Sequence, residues 1–390
     1  MRRKIDARIG SVALVLLAAA SAWGDPPPGY YASVNTSSPA LLRSSLHAVI
    51  DDHTRFPYTS AGTDTWNILE AADQDPGNAA NILDVYRNRS MVKFGGGMGP
   101  YNREHTWPNS YGFPDDGGTN YPYTDCHQLF LSDVGYNSDR GNLPYGDCAP
   151  GATERVTDVN GGQGGGSGMF PGNSNWFTAA RWQTWNGRKG DVARAILYMD
   201  VRYEGGTHGI TGAVEPDLIA TDNTSLIVTT GGNAAVAYMG LLAVLVQWNA
   251  ADPVDERERG RNDVVFGYQG NRNPFIDHPE WVDAIFDPSA SDVAAGIVPR
   301  TAITRVYPNP MNPSTRVGFA LAAPGVARIE VFSADGRLVR TLFDAPRPAG
   351  SFDIGWDGTD RHGVTAASGS YVVRLQSGTA VDTRRVVLLK

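Results

Sequence analysis

The sequence predicts an α+β protein with two globular domains, a largely helical mixed domain followed by an all-β domain. At 390 residues the chain is too long for one ordinary domain, which holds about 150 residues. Apolar residues recur at helical intervals in several segments before residue 287. From residue 305 onward, apolar and polar residues alternate in short runs separated by turns, which is typical of strands. We therefore place a domain boundary between these two regions.

Composition and charge exclude several classes of protein. With 41% apolar and 19% charged residues, the chain is expected to be globular rather than disordered. A mean hydropathy of -0.29 excludes a multi-span membrane protein. The formal net charge is -8, and residues 25–290 hold 17 Lys and Arg against 32 Asp and Glu. A protein that binds nucleic acid through bulk positive charge alone is therefore excluded.

The N-terminus has the pattern of a secretory signal. Residues 1–4 are basic, residues 12–22 are apolar and small, and small-residue cleavage sites follow before Asp25. The apolar run is too short for a stable membrane span, although a retained anchor is the alternative. We expect a signal peptide over residues 1–24 and a mature protein that is secreted, extracellular or held at the cell surface.

Two early segments of the first domain, residues 25–290, predict helices. Ser38 can cap a helix whose first turn contains Pro39, and one face of that helix then carries apolar residues at 42, 46, 49 and 50. Residues 63–70 predict a second short helix, and residues 73–78 have the composition of a turn.

The later part of this domain also predicts helices. Tryptophans and alanines recur at helical intervals over residues 176–182, and residues 191–203 repeat such a pattern. Residues 235–248 are nearly all apolar and predict a central buried helix.

The second domain, residues 303–390, predicts a small antiparallel β-sandwich of the immunoglobulin-like kind that follows a linker over residues 291–302. Alternating runs occupy residues 317–321, 327–332 and 371–375, with turns at residues 334–336 and 356–358.

Cys126 and Cys148 are the only cysteines. In an exported chain an even pair predicts one disulfide, worth about 3 kcal/mol for a loop of this length. Two free buried thiols are the alternative.

The residues suited to catalysis are concentrated between positions 102 and 142. Residues 102–108 place Glu104 beside His105, and neighbours in an extended segment point to opposite faces unless the strand bends or bulges. Residues 135–142 follow, rich in amides and hydroxyls and including Asn137. A disulfide between the cysteines on either side would fix the segment that carries Asn137.

Several segments resemble, in order, the motifs of the bacterial secreted endonuclease I family. They are residues 102–108, Asp125 with His127, residues 136–144, residues 189–194 and residues 269–275, and the similarity covers roughly residues 35–287. The resemblance implies a ββα-metal (His-Me finger) core inside a mixed domain. It also implies divalent-metal cleavage of DNA, and often RNA, with little sequence preference and with 5′-phosphate ends.

The resemblance also assigns roles to individual residues. His105 would be the general base, which suits an imidazole because its ordinary pKa lies near working pH. Glu104 and Asn137 would hold one Mg²⁺ per site, or another hard divalent cation such as Mn²⁺ or Ca²⁺. That ion would stabilise charge on the scissile phosphate and on the leaving oxygen.

Phosphate contacts are assigned to arginines. Arg140 is the first candidate, with a structural ion pair to Asp139 or Asp133 as the alternative, and Arg272 is the second. No Lys or Arg lies between His105 and Asp139, where some family members carry an arginine.

His127 and Asn142 are expected in supporting positions. His127 either orients the site or is a hydrogen-bonded core histidine, and the latter is favoured.

The acidic charge of the first domain is the main objection to a polyanionic substrate. Either a local basic groove overcomes it, or affinity is weak and divalent ions screen the repulsion. The groove would contain Arg140, Arg181, Arg188, Lys189 and Arg272.

The C-terminal domain is similar to the C-terminal sorting domains of secreted proteins of the type IX-like class. The similarity is carried by residues 306–315, 335–340, 356–358, 368–371 and 386–390. It implies delivery by a secretion machinery that recognises this domain; a plain immunoglobulin-like spacer is the alternative.

The sequence thus predicts a secreted, monomeric, metal-dependent endonuclease. The alternatives are an extracellular ribonuclease and a catalytically inactive surface-adhesion protein that retains the fold. A zinc peptidase is disfavoured because the chain contains no HExxH motif.

Overall fold

The computed structural model describes residues 24–166, 168–286, 301–307, 309, 311, 313–348 and 350–389. The signal peptide predicted over residues 1–24 lies outside the described residues except for Gly24, and so does most of the predicted linker. Within the described ranges, none of the helices has the length and apolar character needed to cross a membrane.

The first domain mixes short strands with helices of up to 14 residues. Its described helices are α1 (Pro39–Ile50), α2 (Thr65–Ala72), α3 (Tyr121–Thr124), α4 (Val134–Arg140), α5 (Lys189–Arg202), α6 (Leu242–Ala251), α7 (Glu256–Gln269), α8 (Pro274–Asp277) and α9 (Glu280–Phe286). Short 3-10 helices cover Asn186–Arg188 and Thr224–Leu226.

The strands of this domain form small separate sheets rather than one large sheet. They are β1 (Gln74–Asp75), β2 (Asn78–Leu83), β3 (Ser90–Val92), β4 (Tyr101–His105), β5 (Leu129–Asp133), β6 (Thr153–Arg155), β7 (Asn175–Phe177), β8 (Trp182–Gln183), β9 (Asp217–Ala220) and β10 (Val236–Met239). Antiparallel pairing joins β1-β2-β3, β4-β5 and β6-β7-β8, whereas β9 and β10 are parallel.

The capping residues explain where the first two helices begin. Ser38 accepts a hydrogen bond from the Leu41 amide, Pro39 occupies the first turn, and the buried face carries Leu42, Leu46 and Ile50. Asp64 begins α2 through a capping box with Asn67. Both predicted helices are confirmed, the second starting two residues later than expected.

The central buried helix is α5, and the prediction that placed it over residues 235–248 is wrong. Every residue of α5 from Gly190 to Arg202 is buried. In the predicted segment, Val236–Met239 instead forms β10, which pairs with β9, and only Leu242–Ala251 is helical. The change occurs at Gly240, where a Cβ would lie 2.0 Å from the Thr221 carbonyl oxygen. Strand pairing with β9 therefore overrides the helical preference of these apolar residues.

The helix predicted over residues 176–182 is also wrong. Trp176 and Trp182 lie on β7 and β8, which pair with each other. Both side chains are buried, so their spacing reflects two strands joined by a turn rather than one helical face.

The second domain is the predicted β-sandwich. Its strands are β11 (Ala302–Tyr307), β12 (Thr315–Leu321), β13 (Gly325–Ser333), β14 (Leu338–Arg347), β15 (Gly350–Trp356), β16 (Gly369–Ser377) and β17 (Ala380–Leu388). They form two sheets, β11-β12-β15 and β14-β13-β16-β17. Alternate residues of both sheets, such as Phe319, Ile329 and Val373, meet in one apolar core.

Candidate active site

The unit β4-β5-α4 brings the predicted catalytic segments together. β4 pairs with β5 in regular antiparallel register from Tyr101 to His105, and α4 begins directly after β5. Asp133 caps α4 by accepting hydrogen bonds from the amides of Gly135 and Tyr136. The helix folds back onto β4, where Asn137 and Arg140 contact the strand.

The two faces of β4 carry different parts of the site. The pairing contains no bulge, so Glu104 and His105 leave opposite faces of the strand. Glu104 contacts Arg140 of α4, whereas His105 stacks on Tyr58. β4 ends at His105, so both side chains are adjacent to the same end of the strand.

Glu104 is buried and held by two partners through one oxygen. Its Oε1 accepts a hydrogen bond from the Tyr86 hydroxyl at 2.7 Å and lies 3.2 Å from Nη1 of Arg140. Burial raises the pKa of this carboxyl group above its ordinary value, although Arg140 and Tyr86 act in the opposite direction. Among the described residues, none donates a hydrogen bond to Oε2, so this oxygen is available to a ligand.

Asn137 is bonded to the same strand. Its Nδ2 donates to Oδ1 of Asn102 at 2.7 Å and lies 3.5 Å from the carbonyl oxygen of Arg103. Within the described part of the chain, Oδ1 of Asn137 has no hydrogen-bond donor. Glu104 and Asn137 therefore each leave one hard oxygen atom unused at the contact between β4 and α4.

His105 is half-buried among aromatic rings. Its ring stacks on Tyr58 with centroids 5.7 Å apart and meets the edge of Tyr123 at 4.8 Å. Nε2 lies 2.9 Å from the carbonyl oxygen of Tyr123, which can only accept, so Nε2 carries the proton. In the neutral ring Nδ1 then has the free lone pair. Burial lowers the pKa of His105 to about 4, helped by the positive charges of Arg103 and Arg140, so the ring is neutral at pH 7.

The assignment of Arg140 as a phosphate contact is corrected by its burial. Its side chain is 1% exposed. Besides Glu104, the guanidinium bonds the carbonyl oxygens of His105, Thr106 and Gly141 and lies over the ring of Tyr145. Arg140 therefore forms a structural ion pair, which was the alternative interpretation, but its carboxylate partner is Glu104 rather than Asp139 or Asp133.

Arg272 is likewise not available to a substrate. Its buried guanidinium forms ion pairs with Asp277 and Asp263, each at 2.7 Å. These two pairs connect the C-terminal part of α7 to α8.

Within the described residues, neither His127 nor Asn142 forms a hydrogen bond with Glu104 or Asn137. His127 is buried, and its Nε2 lies 2.9 Å from the carbonyl oxygen of Asn271. It is therefore a hydrogen-bonded core histidine, the interpretation that the sequence favoured. Asn142 is exposed, and its carbonyl oxygen accepts a hydrogen bond from the Tyr111 hydroxyl.

The predicted disulfide is absent, because both cysteines are free thiols. Cys126 is buried in an apolar cluster with Trp66, Leu69 and Val265. Cys148 instead donates to the carbonyl oxygen of Trp176 at 3.4 Å. The cap on α4 and its bonds to β4 hold Asn137 in place without a cross-link.

The predicted basic groove does not form. Arg140, Arg188 and Arg272 are buried beside carboxylates, and Lys189 lies 3.8 Å from Asp147. Arg181 differs from these four: within the described residues it has no ion pair, and it donates to the Asp147 carbonyl oxygen.

Five supporting residues were not found from the sequence: Tyr58, Tyr86, Asn102, Arg103 and Tyr123. Strand alternation could have indicated Asn102 and Arg103, because they lie two residues before Glu104 and His105. Tyr58, Tyr86 and Tyr123 come from distant segments, and no pattern in the sequence connects them to the site.

The donor set suits a hard cation. Carboxylate and amide oxygens are typical ligands of Mg²⁺, which usually keeps several waters and needs few protein ligands. Across the described ranges no group of three or more His, Cys, Asp or Glu side chains is arranged to hold a metal. The unused oxygens of Glu104 and Asn137 therefore suit a hard cation whose other ligands are water molecules. They do not suit zinc, which prefers nitrogen and sulfur ligands.

Comparison with known proteins finds similarities for both domains. The sequence matches the Endonuclease I family over residues 39–280 and the FlgD Ig-like domain over residues 311–380. Extracellular ribonuclease from Bacillus amyloliquefaciens is 39% identical over 260 residues, 66% of this chain and 78% of that protein. Extracellular ribonuclease from Bacillus subtilis (strain 168) is 39% identical over 280 residues, 71% and 85% of the two chains.

A solved structure of FlgD from Xanthomonas campestris is 24% identical over 25% of this chain and 73% of that chain, with a TM-score of 0.17.

The chain belongs to the endonuclease I family, as the sequence motifs predicted. It is therefore a nuclease, an enzyme that hydrolyses phosphodiester bonds, and its residues 311–380 are similar to the FlgD Ig-like domain.

Proposed function

We propose that the protein is a secreted, monomeric endonuclease that cleaves DNA with little sequence preference and depends on a divalent cation. The observation that carries the proposal is the β4-β5-α4 unit, which places a carboxylate, an amide and a neutral imidazole along one strand. This arrangement supports its assignment as a His-Me finger. The two Bacillus relatives, named extracellular ribonucleases, support secretion and make RNA the second candidate substrate.

Glu104 and Asn137 would hold the cation through Oε2 and Oδ1, the atoms that the protein leaves unused. When bound, Mg²⁺ or a similar hard ion would supply a positive charge beside the scissile phosphate and the leaving oxygen. Arg140 and the Tyr86 hydroxyl oppose the rise in the pKa of Glu104 that burial causes, and they fix the direction of its carboxyl group.

His105 would act as the general base. The Tyr123 carbonyl oxygen holds the proton on Nε2, so Nδ1 can accept a proton from the water that attacks phosphorus. Tyr58 and Tyr123 restrict the ring to one orientation, which maintains the direction of Nδ1. With the 3′ oxygen as the leaving group, this attack on phosphorus would leave 5′-phosphate ends.

Arg103 is the guanidinium best placed for a phosphate contact. It lies on the same face of β4 as His105, with Cζ 3.3 Å from the centre of the Tyr58 ring. In the part of the chain that the structure describes, no carboxylate lies within ion-pair distance of it. Nη2 donates to Thr59 at the surface, which leaves its second hydrogen for a phosphate oxygen.

The C-terminal domain would direct the protein to a secretion machinery and thus to the cell surface or the medium. The FlgD-type match and the sandwich fold support an exported accessory domain. We propose residues 1–24 as signal peptide, 25–290 as nuclease domain, 291–302 as linker and 303–390 as sorting domain.

Digestion of plasmid DNA and of ribosomal RNA in parallel tests the proposed function. The wild type should cut DNA with Mg²⁺ and stop when EDTA is added, and His105→Ala should lose activity by at least 100-fold. An Asn142→Ala variant is the control, because this side chain is exposed and has no hydrogen bond within the described residues. Wild-type cleavage that persists in EDTA would contradict the metal role, and preferential cleavage of RNA would favour the ribonuclease alternative.

A further inference from the structure

The side chain of Asn102 bonds the amide that would serve as a metal ligand. Nδ2 of Asn137 lies 2.7 Å from Oδ1 of Asn102 and 3.5 Å from the main-chain carbonyl oxygen of Arg103. A carbonyl oxygen can only accept a hydrogen bond, so the end of the Asn137 amide that faces β4 must be nitrogen. The oxygen end then points away from the strand.

Asn102 and Glu104 belong to the same face of β4, because they are two residues apart on one strand. Each contacts a different side chain of α4. Asn102 bonds Asn137, and Glu104 pairs with Arg140, which follows three residues later on the helix. The strand therefore orients a ligand of the helix, while the helix orients a ligand of the strand. In each pair one oxygen remains unused.

We infer that Asn102 is a positioning residue that fixes the Asn137 amide with its oxygen toward the cation. The inference depends on the proposed function, since it concerns the same metal site. An amide has one end that binds a cation and one end that repels it, so an unrestrained Asn137 would present the wrong end part of the time. Removal of partners that orient a metal ligand typically lowers metal affinity 10- to 100-fold.

Binding of Mn²⁺ alone to the full chain, measured by electron paramagnetic resonance, tests the inference without any activity assay. Asn102→Leu should raise the Mn²⁺ dissociation constant by about 10-fold or more. Asn102→Ala is a second variant in case leucine disturbs folding. Asn81→Leu is the matched control, because Asn81 makes an equivalent half-buried bond at 2.8 Å to Ser90, between β2 and β3.

The decisive comparison repeats Asn102→Leu in an Asn137→Asp background. A carboxylate presents oxygen at both ends, so its orientation needs no partner. If Asn102 acts through the amide, its removal should change Mn²⁺ affinity less than twofold in that background. Wild-type affinity in Asn102→Leu, or an equal loss in both backgrounds, would overturn the inference. Failure of the wild type itself to bind Mn²⁺ would instead overturn the proposed metal site.

Discussion

Replacement of Arg140 by methionine should destabilise the first domain and abolish activity together. The guanidinium lies 3.2 Å from Glu104, and both side chains are at most 2% exposed. At an effective dielectric constant of about 20, this separation corresponds to an attraction of about 5 kcal/mol. Methionine would leave a buried carboxylate unpaired, a change that typically lowers the free energy of unfolding by about 3–5 kcal/mol.

The loss of activity has the same electrostatic origin. Burial already raises the pKa of Glu104, and Arg140 is the main group that opposes this shift. Without it, the carboxyl group would be protonated more often and would be a poorer ligand for a cation. The double variant Arg140→Met, Glu104→Gln contains no buried charge at this position, so it should recover about 2 kcal/mol of stability while remaining inactive.

Urea unfolding followed by tryptophan fluorescence measures these changes, since seven of the nine tryptophans lie within residues 25–290. Arg272→Met is the matched control, because Arg272 is equally buried and pairs with Asp277 away from the site. It should lose comparable stability yet keep the kcat of the folded fraction. The reasoning is refuted if Arg140→Met is as stable as the wild type, or if the double variant is no more stable than the single one.

Three further predictions concern other parts of the molecule. Burial lowers the pKa of His127 to about 4, so its contribution to the free energy of unfolding should fall by about 3 kcal/mol between pH 7 and pH 4, because the unfolded chain then binds a proton that the folded chain excludes. The buried carboxyl groups of Asp84 and Glu258, whose pKa values are raised to about 7, act in the opposite direction, so urea titrations should compare the wild type with His127→Gln, and an identical pH dependence of the two would contradict this. Thiol titration in denaturant without reductant should find two thiols per chain, because Cys126 and Cys148 are unpaired, whereas a count of zero would restore the disulfide. Arg103→Met should raise the KM for DNA and reduce the slope of log affinity against log salt by about one, so an unchanged slope would exclude a phosphate contact.

Local signals in the sequence were sufficient for the elements that depend on neighbouring residues. The caps at Ser38 and Asp64 act within one turn, and the alternation in the second domain needs only an apolar core on one face of each sheet. The motif around Glu104 and His105 was found for the same reason, because its residues are adjacent.

Tertiary contacts decided what the sequence could not indicate. α5 is buried although it carries Arg194 and Arg202, because Glu258 and Glu215 from other segments neutralise them at 2.5 and 2.9 Å. Arg140 looked like a surface cation for a similar reason, since its partner Glu104 lies 36 positions earlier in the chain. Pairing of the cysteines failed as a prediction because Cys126 packs as a small apolar residue in the core.

Internal ion pairs remove basic side chains from the surface of the first domain without reducing its acidic excess. Arg140, Arg194, Arg202, Arg261 and Arg272 are all buried, each within 3.2 Å of a carboxylate. Such pairs cancel locally, so these five of the 17 basic residues in the first domain contribute little to the surface potential, and the acidic excess remains on the exposed residues. Under the proposed function, a polyanionic substrate would therefore meet a repelling surface except where Arg103 and a bound divalent cation lie close to His105. Affinity concentrated at one phosphate, rather than spread along a basic groove, would need few contacts with bases and would therefore account for the low sequence preference that we propose.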